Sequence, residues 1–351
     1  MSHNTNRIEA FANLVHHYLI WIIVASYMLA SILPEFGLWL RHVELGSVNI
    51  FQARFTISLP PFMLALLLFN AGIGVKVDEL FRQARTPGVL IGGLLGNLAI
   101  PLLISALISY TMRLWHDPEE AQQILVGLAL VAAMPIAGAS TAWSQNADGN
   151  LALSLGLVLF TTLLSPLFSP LVFHSVGYMT TGDYSEDLHE LASGEVVGFL
   201  GAWVITPSLL GICARRLIGE ANFSVIKSHL KLVNFCVLVL LNYSNASITL
   251  PEVISQPDMD FIGILLIIVL ALCLCAFGTG YLIARLFQLD RQRMISLVFG
   301  LGMNNNGTGL VLASMALVDH PLVMLPIIFY NLIQHLVASL VDRTIFQRAY
   351  A

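Results

Sequence analysis

Long apolar runs separated by short polar stretches set the pattern of this chain. A helix needs about 20 mostly apolar residues to cross a bilayer. Ten runs meet that length, at about 12–34, 56–75, 88–111, 122–147, 150–178, 194–217, 229–250, 259–287, 292–318 and 321–346. Backbone amides in hydrocarbon must bond within their own segment, so runs of this length predict helices rather than strands. The pattern therefore predicts an all-α membrane protein with ten transmembrane helices. Residues ahead of the first run are polar and contain no short apolar region with a small-residue cleavage site, so the first run is expected to stay as a span. Pro60-Pro61 and the SPLFSP stretch at 165–170 are expected to kink the second and fifth spans.

Composition makes the same choice. The 351 residues are 57% hydrophobic and only 11% charged, with a mean hydropathy of +0.81. Sixteen Lys+Arg and 21 Asp+Glu cannot cover a soluble protein of this length. A soluble enzyme, a nucleic-acid binder and a disordered scaffold are excluded. Cys213, Cys236, Cys273 and Cys275 all lie in apolar stretches and read as small hydrophobes, not as a metal clip or a disulfide.

The distribution of basic residues fixes an orientation. With the N-terminus in the cytoplasm, 13 of the 16 Lys+Arg fall inside: Arg7, Lys76, Arg82, Arg85, Arg215, Arg216, Lys227, Lys231, Arg285, Arg291, Arg293, Arg343 and Arg348. Arg41, Arg54 and Arg113 fall outside. By the positive-inside rule both termini are cytoplasmic, as an even number of spans requires.

Two spans differ from the rest. The fourth contains MPIAGAST (134–141) and the ninth MNNNGTGL (303–310). Met134 and Gly138 match Met303 and Gly307 at one offset of 169 residues, which equals five spans. Repeats of five spans must insert in opposite orientations, a pattern found in secondary transporters. In both segments Leu-Ile-Val runs give way to Gly, Pro, Ser, Thr and Asn, which compete for or remove helical hydrogen bonds. A break is predicted in each. Unpaired backbone groups at membrane depth are tolerated only where they face a cavity, water or ligand. The bland alternative is that the small and polar residues pack helix against helix.

These segments resemble the bile acid:sodium symporter family. GMNNNG (302–307) resembles its Gly-Met-Gln-Asn-Ser-Gly segment, and PIAGASTAWSQNADGNLALS (135–154) its Pro-Gly-Gly-Thr-Ala-Ser-Asn stretch with the Gly-Asn-x-Ala-Leu-Ser that follows. The resemblance implies two inverted five-helix repeats, about 12–178 and 194–346, with helices 4 and 9 broken and crossing. It implies a core of helices 3–5 and 8–10 and a panel of helices 1, 2, 6 and 7. It places one sodium site at Ser140, Thr141 and Ser154. A second site falls on Leu301, Met303 and Asn304, completed from the third span by Asn97, next to Gly96 on which the gapless alignment lands. Substrate contacts fall on Gly138, Ala139, Ser140 and Asn305, and on Gln334 and His335 in place of a His-Asn pair.

Two positions depart from the family. Its sodium-bridging Glu is Gly300 here, and its second hydroxyl in the fifth span is Val158. All 21 acids lie in predicted loops or within a turn of a span end, so a proton antiporter lacks its intramembrane carboxylate. The chain carries no HExxH, no GxSxG and no intramembrane Asp pair, which speaks against an enzyme. The resemblance thus implies a multi-pass inner-membrane secondary transporter of a small organic anion. Sodium is its coupling ion, possible at a single site, and no other cofactor is implied. Gly300 leaves open a sodium-independent facilitator or a proton-coupled carrier of the same fold.

Overall fold

The structure, a computed structural model, describes residues 18–50, 53–75 and 87–346. The beginning of the first run and Arg7, Lys76, Arg82, Arg85 and Arg348 lie outside these residues. The described chain is nearly all helical. Six helical stretches are long and apolar enough to cross a membrane: Pro87–Leu114, Leu151–Gly177, Asp183–Gly219, Val225–Ser255, Met259–Leu286 and Pro321–Phe346. A helix pair bent by 91° near the N-terminus makes a seventh. The protein is a multi-pass membrane protein.

The chain forms two compact units. The first combines Met1–Val75 with Gly201–Pro257. Here α1 (Leu19–Ile32) meets α2 (Pro34–His42) at Leu33, whose φ of −128° and ψ of 67° leave the helical region that the following proline disfavours. Strands β1 (Glu44–Ile50) and β2 (Ala53–Ser58) then pair antiparallel. This hairpin lies outside the all-α expectation, which rested on runs long enough to span and did not weigh the connection between them.

Helix α3 (Leu59–Ile73) begins at the proline pair and is not kinked by it. Backbone N–H donors of the first helical turn have no intrahelical acceptor, so Pro60 and Pro61, which lack an N–H, are accommodated there. The 50-residue helix α10 (Thr206–Ser255) turns at Gly219, whose φ of +75° only glycine adopts cheaply. It packs closely on α3. A Cβ at Gly72 would stand 2.2 Å from the Ser208 carbonyl oxygen, and one at Gly211 2.1 Å from that of Phe69. Small residues let the two backbones approach, the usual basis of helix association in lipid. Polar side chains bond across this unit: the Tyr27 hydroxyl with Asn242, Arg41 with Asn245 at 2.9 Å, and Asn70 with Asn234 at 2.7 Å. The Asn-rich stretch at 242–247 is thereby packed inside a helix.

The second unit combines Lys76–Leu200 with Asp258–Ala351. It holds α4 (Pro87–Thr111), α5 (Pro118–Ala133), α6 (Ala139–Asn146), α7 (Leu151–Gly177), α8 (Asp183–Glu190) and the short α9 (Val196–Leu200). After the return come α11 (Met259–Leu286), α12 (Arg291–Gly302), α13 (Asn306–Ala316) and α14 (Leu325–Val341). From Ala121 to Ala133 every residue of α5 except Gln122 is buried, so this helix forms the centre of the unit. The acids at span ends have a local reason. Asp117, Asp258 and Asp290 cap α5, α11 and α12 by accepting a backbone N–H of the first turn. Helix α7 runs unbroken through Pro166 and Pro170. Of the four cysteines only Cys273 is buried; the others lie on helix surfaces.

Candidate functional site: two extended segments crossing

Between α5 and α6 the chain is extended, and between α12 and α13 it is extended again. The two stretches pair antiparallel at Ile136 and Asn304. Ala137 N–H donates to the Met303 carbonyl and Asn305 N–H to the Pro135 carbonyl, both at 2.8 Å. Helices α6 and α13 start immediately beyond this two-bond crossing.

The sequence explains the first interruption residue by residue. Pro135 has no N–H, so the Val131 carbonyl loses its helical donor. Met134 N–H reaches that carbonyl only at 3.4 Å, and the Asn304 side-chain amide adds a shorter bond at 2.9 Å. Ile136 N–H turns to Thr161 Oγ1 at 3.1 Å, and Ala137 N–H to Met303, so Ala132 and Ala133 lose theirs as well. The Ser169 hydroxyl donates to the Ala133 carbonyl at 2.5 Å. In the second interruption Asn304 N–H donates to Gln334 Oε1 at 3.1 Å, and Asn305 caps α13 by accepting Thr308 N–H through its side chain. Buried backbone groups freed by a break need such partners, since each one left unsatisfied costs about 1–3 kcal/mol.

Most of the residues singled out in the sequence gather here. Gly138 precedes α6 and a Cβ there would meet nothing within 4 Å, so open space adjoins this helix start. Among the described hydrogen bonds none uses the N–H of Gly138 or Ala139. Asn305 is half-buried on the other side of the crossing. An α-helix start with free N–H groups attracts negative charge. Ser140 is fully buried and donates to the Ala137 carbonyl at 2.8 Å. The Ser154 hydroxyl donates to Thr141 Oγ1 at 3.0 Å, which brings those two together next to Ser140 in the chain.

Other positions serve different purposes. Gln334 is buried and holds Asn304 and Asn331, so its amide braces the crossing. The His335 ring accepts Trp143 Nε1–H at 3.3 Å, which ties α14 to α6. The Met303 carbonyl is occupied by Ala137 N–H, while Leu301 packs into an apolar cluster with Ile136, Leu153, Leu157 and Leu297. Val158 packs against the same cluster. A Cβ at Gly300 would touch Leu157 at 3.1 Å and Ile136 at 3.9 Å, so the position of the family's Glu faces methyl groups. Gly96 faces Leu301 and Ile283. Asn97 instead lines a small cavity with Ala132, Pro135, Thr161 and Ser165.

Sequence reading passed over Thr161, Ser165 and Ser169. A signal was present: in this mostly apolar span they recur every four residues, the spacing of one helix face.

Comparison with known proteins bears on the whole arrangement. A family model described as Sodium Bile acid symporter family matches residues 61–256. Among similar proteins, YbaS of Bacillus subtilis (strain 168), described as uncharacterized, is 26% identical over 216 residues, covering 62% of this chain and 67% of that protein. YocS of the same organism, described as an uncharacterized sodium-dependent transporter, is 24% identical over 285 residues, covering 80% of this chain and 81% of that one.

Proposed function

The chain belongs to the sodium bile acid symporter family, and on that footing we propose that it carries a small organic anion across the bacterial inner membrane by sodium-coupled alternating access. The observation that carries this reading is the crossing itself. Two helices begin beside it, with Asn305 and open space at Gly138. Helix starts in a low-dielectric surround favour an anion, and backbone carbonyls with hydroxyl and amide oxygens favour a cation.

We read the ten apolar runs as ten spans in two inverted repeats. On this reading α5 with α6 and α12 with α13 are the fourth and ninth spans, each interrupted at its middle. Helix α3 serves as the second span, and the unit built from 76–200 and 258–351 is assigned as the core. In support, both interruptions lie in that one unit and bond to each other. The surviving sodium ligands are Ser140, Thr141 and Ser154, with Asn304. A cage stripped of its charged ligand binds sodium weakly, and a single ion gives a Hill coefficient near one.

A second reading has its own support. Gly300 and Val158 stand among Leu157, Ile136, Leu153 and Leu301, which fills with methyl groups the place where a bridging carboxylate would coordinate. That favours a sodium-independent facilitator. Uptake of labelled small carboxylates and sulfonates into proteoliposomes decides between the two. Replacing external sodium with choline is expected to slow uptake severalfold. Uptake unchanged by the exchange sinks the symporter reading and establishes the facilitator.

Orientation follows from the basic residues. Reporter fusions after Lys227 are expected to read cytoplasmic and fusions after Asp187 external. A cytoplasmic signal at Asp187 overturns the ten-span topology.

A further inference from the structure

Helix α8 follows α7 in the connection that leads the chain back to the first unit, and two histidine contacts hold it. They use residues 187 and 189, which lie about 200° apart around a helix and so on opposite sides of it. On one side His189 Nδ1 stands 3.0 Å from Nδ1 of His174, in the last turn of α7. On the other, His320 in the turn between α13 and α14 lies against Tyr184, ring centroids 4.2 Å apart, and sets Nε2 3.5 Å from Asp187 Oδ2. The first contact has a fitted seat. A Cβ at Gly177 would fall 2.8 Å from the His189 ring, so that glycine leaves room for it, and Tyr178 packs edge-on to both imidazoles.

The two contacts answer protons in opposite ways. A neutral imidazole has one N–H and one lone pair; an imidazolium has two N–H groups and no lone pair. The His174–His189 bond therefore needs one neutral ring. It survives a first added proton, because an imidazolium can donate to its neighbour. A second proton turns two N–H groups and two positive charges on each other. The His320–Asp187 contact instead becomes an ion pair when His320 gains a proton, and it weakens as the ring becomes neutral. The other charged groups nearby are acids: Asp183, Glu186 and Glu190 on α8, Glu195 beyond it, Asp319 beside His320, and Glu119 of α5 at the Tyr184 hydroxyl. Residues 118–200 and 303–342 contain no Lys or Arg. Histidine is the side chain that ordinarily changes charge between about pH 5 and 8, so these rings supply the positive charge that varies here.

The backbone allows α8 to respond. Gly182 before it has φ +61° and Gly194 beyond it φ +153°, and a Cβ at either would meet nothing within 4 Å. The start of the helix is fixed by bonds that do not titrate: Ser185 Oγ donates to the Gly177 carbonyl at 2.8 Å, and Thr181 N–H to Gln122 Oε1 at 2.9 Å. Tyr184 and Leu188 are buried and keep it seated. The end that carries His189 borders a cavity of about 600 Å³, shared with Leu171, His174, Tyr178 and Ser193, and has room to shift.

We propose that α8 is an acid-sensitive clasp, whose C-terminal end is bound to α7 by the His174–His189 bond at neutral pH and is released by acid, while the same acid tightens Asp187 onto His320. The hold thus passes from the end of α7 to the turn after α13, the helix that starts at the crossing beside Asn305. On the orientation proposed above this face meets the external medium, whose acidity then sets how firmly residues 189–195 are held. The clasp is separate from ion coupling and operates whether or not the carrier uses sodium.

The full-length protein in detergent, with the exposed Cys213, Cys236 and Cys275 replaced by Ser, carries a nitroxide at Glu190→Cys, an exposed position at the end of α8. Its mobility is read by electron paramagnetic resonance from about pH 8 to about pH 5, with neither anion nor sodium present. The ratio of mobile to immobile label is expected to rise about threefold on acidification, the effect of one lost neutral hydrogen bond. His174→Gln and His189→Gln are each expected to flatten the profile, because glutamine gains no charge whether or not its amide keeps the bond. His320→Gln is expected to raise mobility at the acid end above the unsubstituted level. A label indifferent to pH overturns the clasp. A profile that persists in both the His174 and His189 variants also overturns it and assigns the response to the carboxylates. Acid-end mobility unchanged in His320→Gln overturns the passage of the hold to Asp187.

Discussion

Asn305→Leu is expected to abolish anion uptake while leaving membrane insertion intact. Asn305 does two things at the crossing. Its backbone N–H holds the Pro135 carbonyl at 2.8 Å, and leucine keeps that bond. Its side chain caps α13 through Thr308 N–H, at 3.4 Å, and loss of a cap costs about 0.5–2 kcal/mol. Neither change unfolds a protein of this size. What disappears is the amide donor beside two helix starts, replaced by an apolar group that repels a hydrated anion. Two further variants separate capping from substrate contact. Asn305→Asp keeps the cap acceptor but sets a negative charge against an anion, so uptake is also lost. Asn305→Ser keeps a cap and a single donor, so uptake falls partway. The assay is initial uptake rate in proteoliposomes normalised to folded protein. Wild-type rates in both the Leu and Asp variants would falsify the assignment and leave Asn305 as a cap alone.

The membrane character and the six described helices long and apolar enough to cross a bilayer were legible because they depend on summed apolar content, to which every residue contributes. The candidate site was legible in outline for the opposite reason. Pro135, Gly138 and the Asn304–Asn306 run are local exceptions in apolar helices, and exceptions of that kind locate special backbone. What stayed hidden depends on pairing across long separations. Asn304 supplies the donor that Pro135 removes from Val131, 173 residues away, and no local rule announces that exchange. Gln334 reads as a substrate contact by its place in the chain, yet its oxygen is taken up by Asn304 N–H. The β1–β2 hairpin was missed because it lies in a connection, where apolar content carries no signal. The proline pair at 60–61 reads as a kink only if the helix starts earlier than Leu59; cap position, more than residue type, decides what a proline does.

Gly300→Glu carries the sharpest test of the sodium site. By family pattern alone, restoring this acid should strengthen sodium binding. Its surroundings reverse that expectation. The new side chain would leave α12 against Leu157 and Ile136, within a cluster that also holds Leu153, Leu297 and Leu301. An ionised carboxylate among methyl groups has no partner there, so it stays protonated, and a neutral acid is a poor sodium ligand. Burying an unmatched carboxyl costs about 1–3 kcal/mol, and replacing a glycine in the last turn of α12 returns at most about 0.5–1 kcal/mol. The single variant is therefore expected to melt lower than wild type, with a sodium midpoint no better and a Hill coefficient still near one. Adding Val158→Thr puts a hydroxyl beside the same cluster and supplies the acid with a polar neighbour. Only this double variant is expected to gain sodium affinity and a Hill coefficient rising toward two. A tenfold lower midpoint in Gly300→Glu alone would show that Leu157 and Ile136 yield to the ion. The sodium cage at Ser140, Thr141 and Ser154 would then be intact in all but its charge, and the facilitator reading would lose its support.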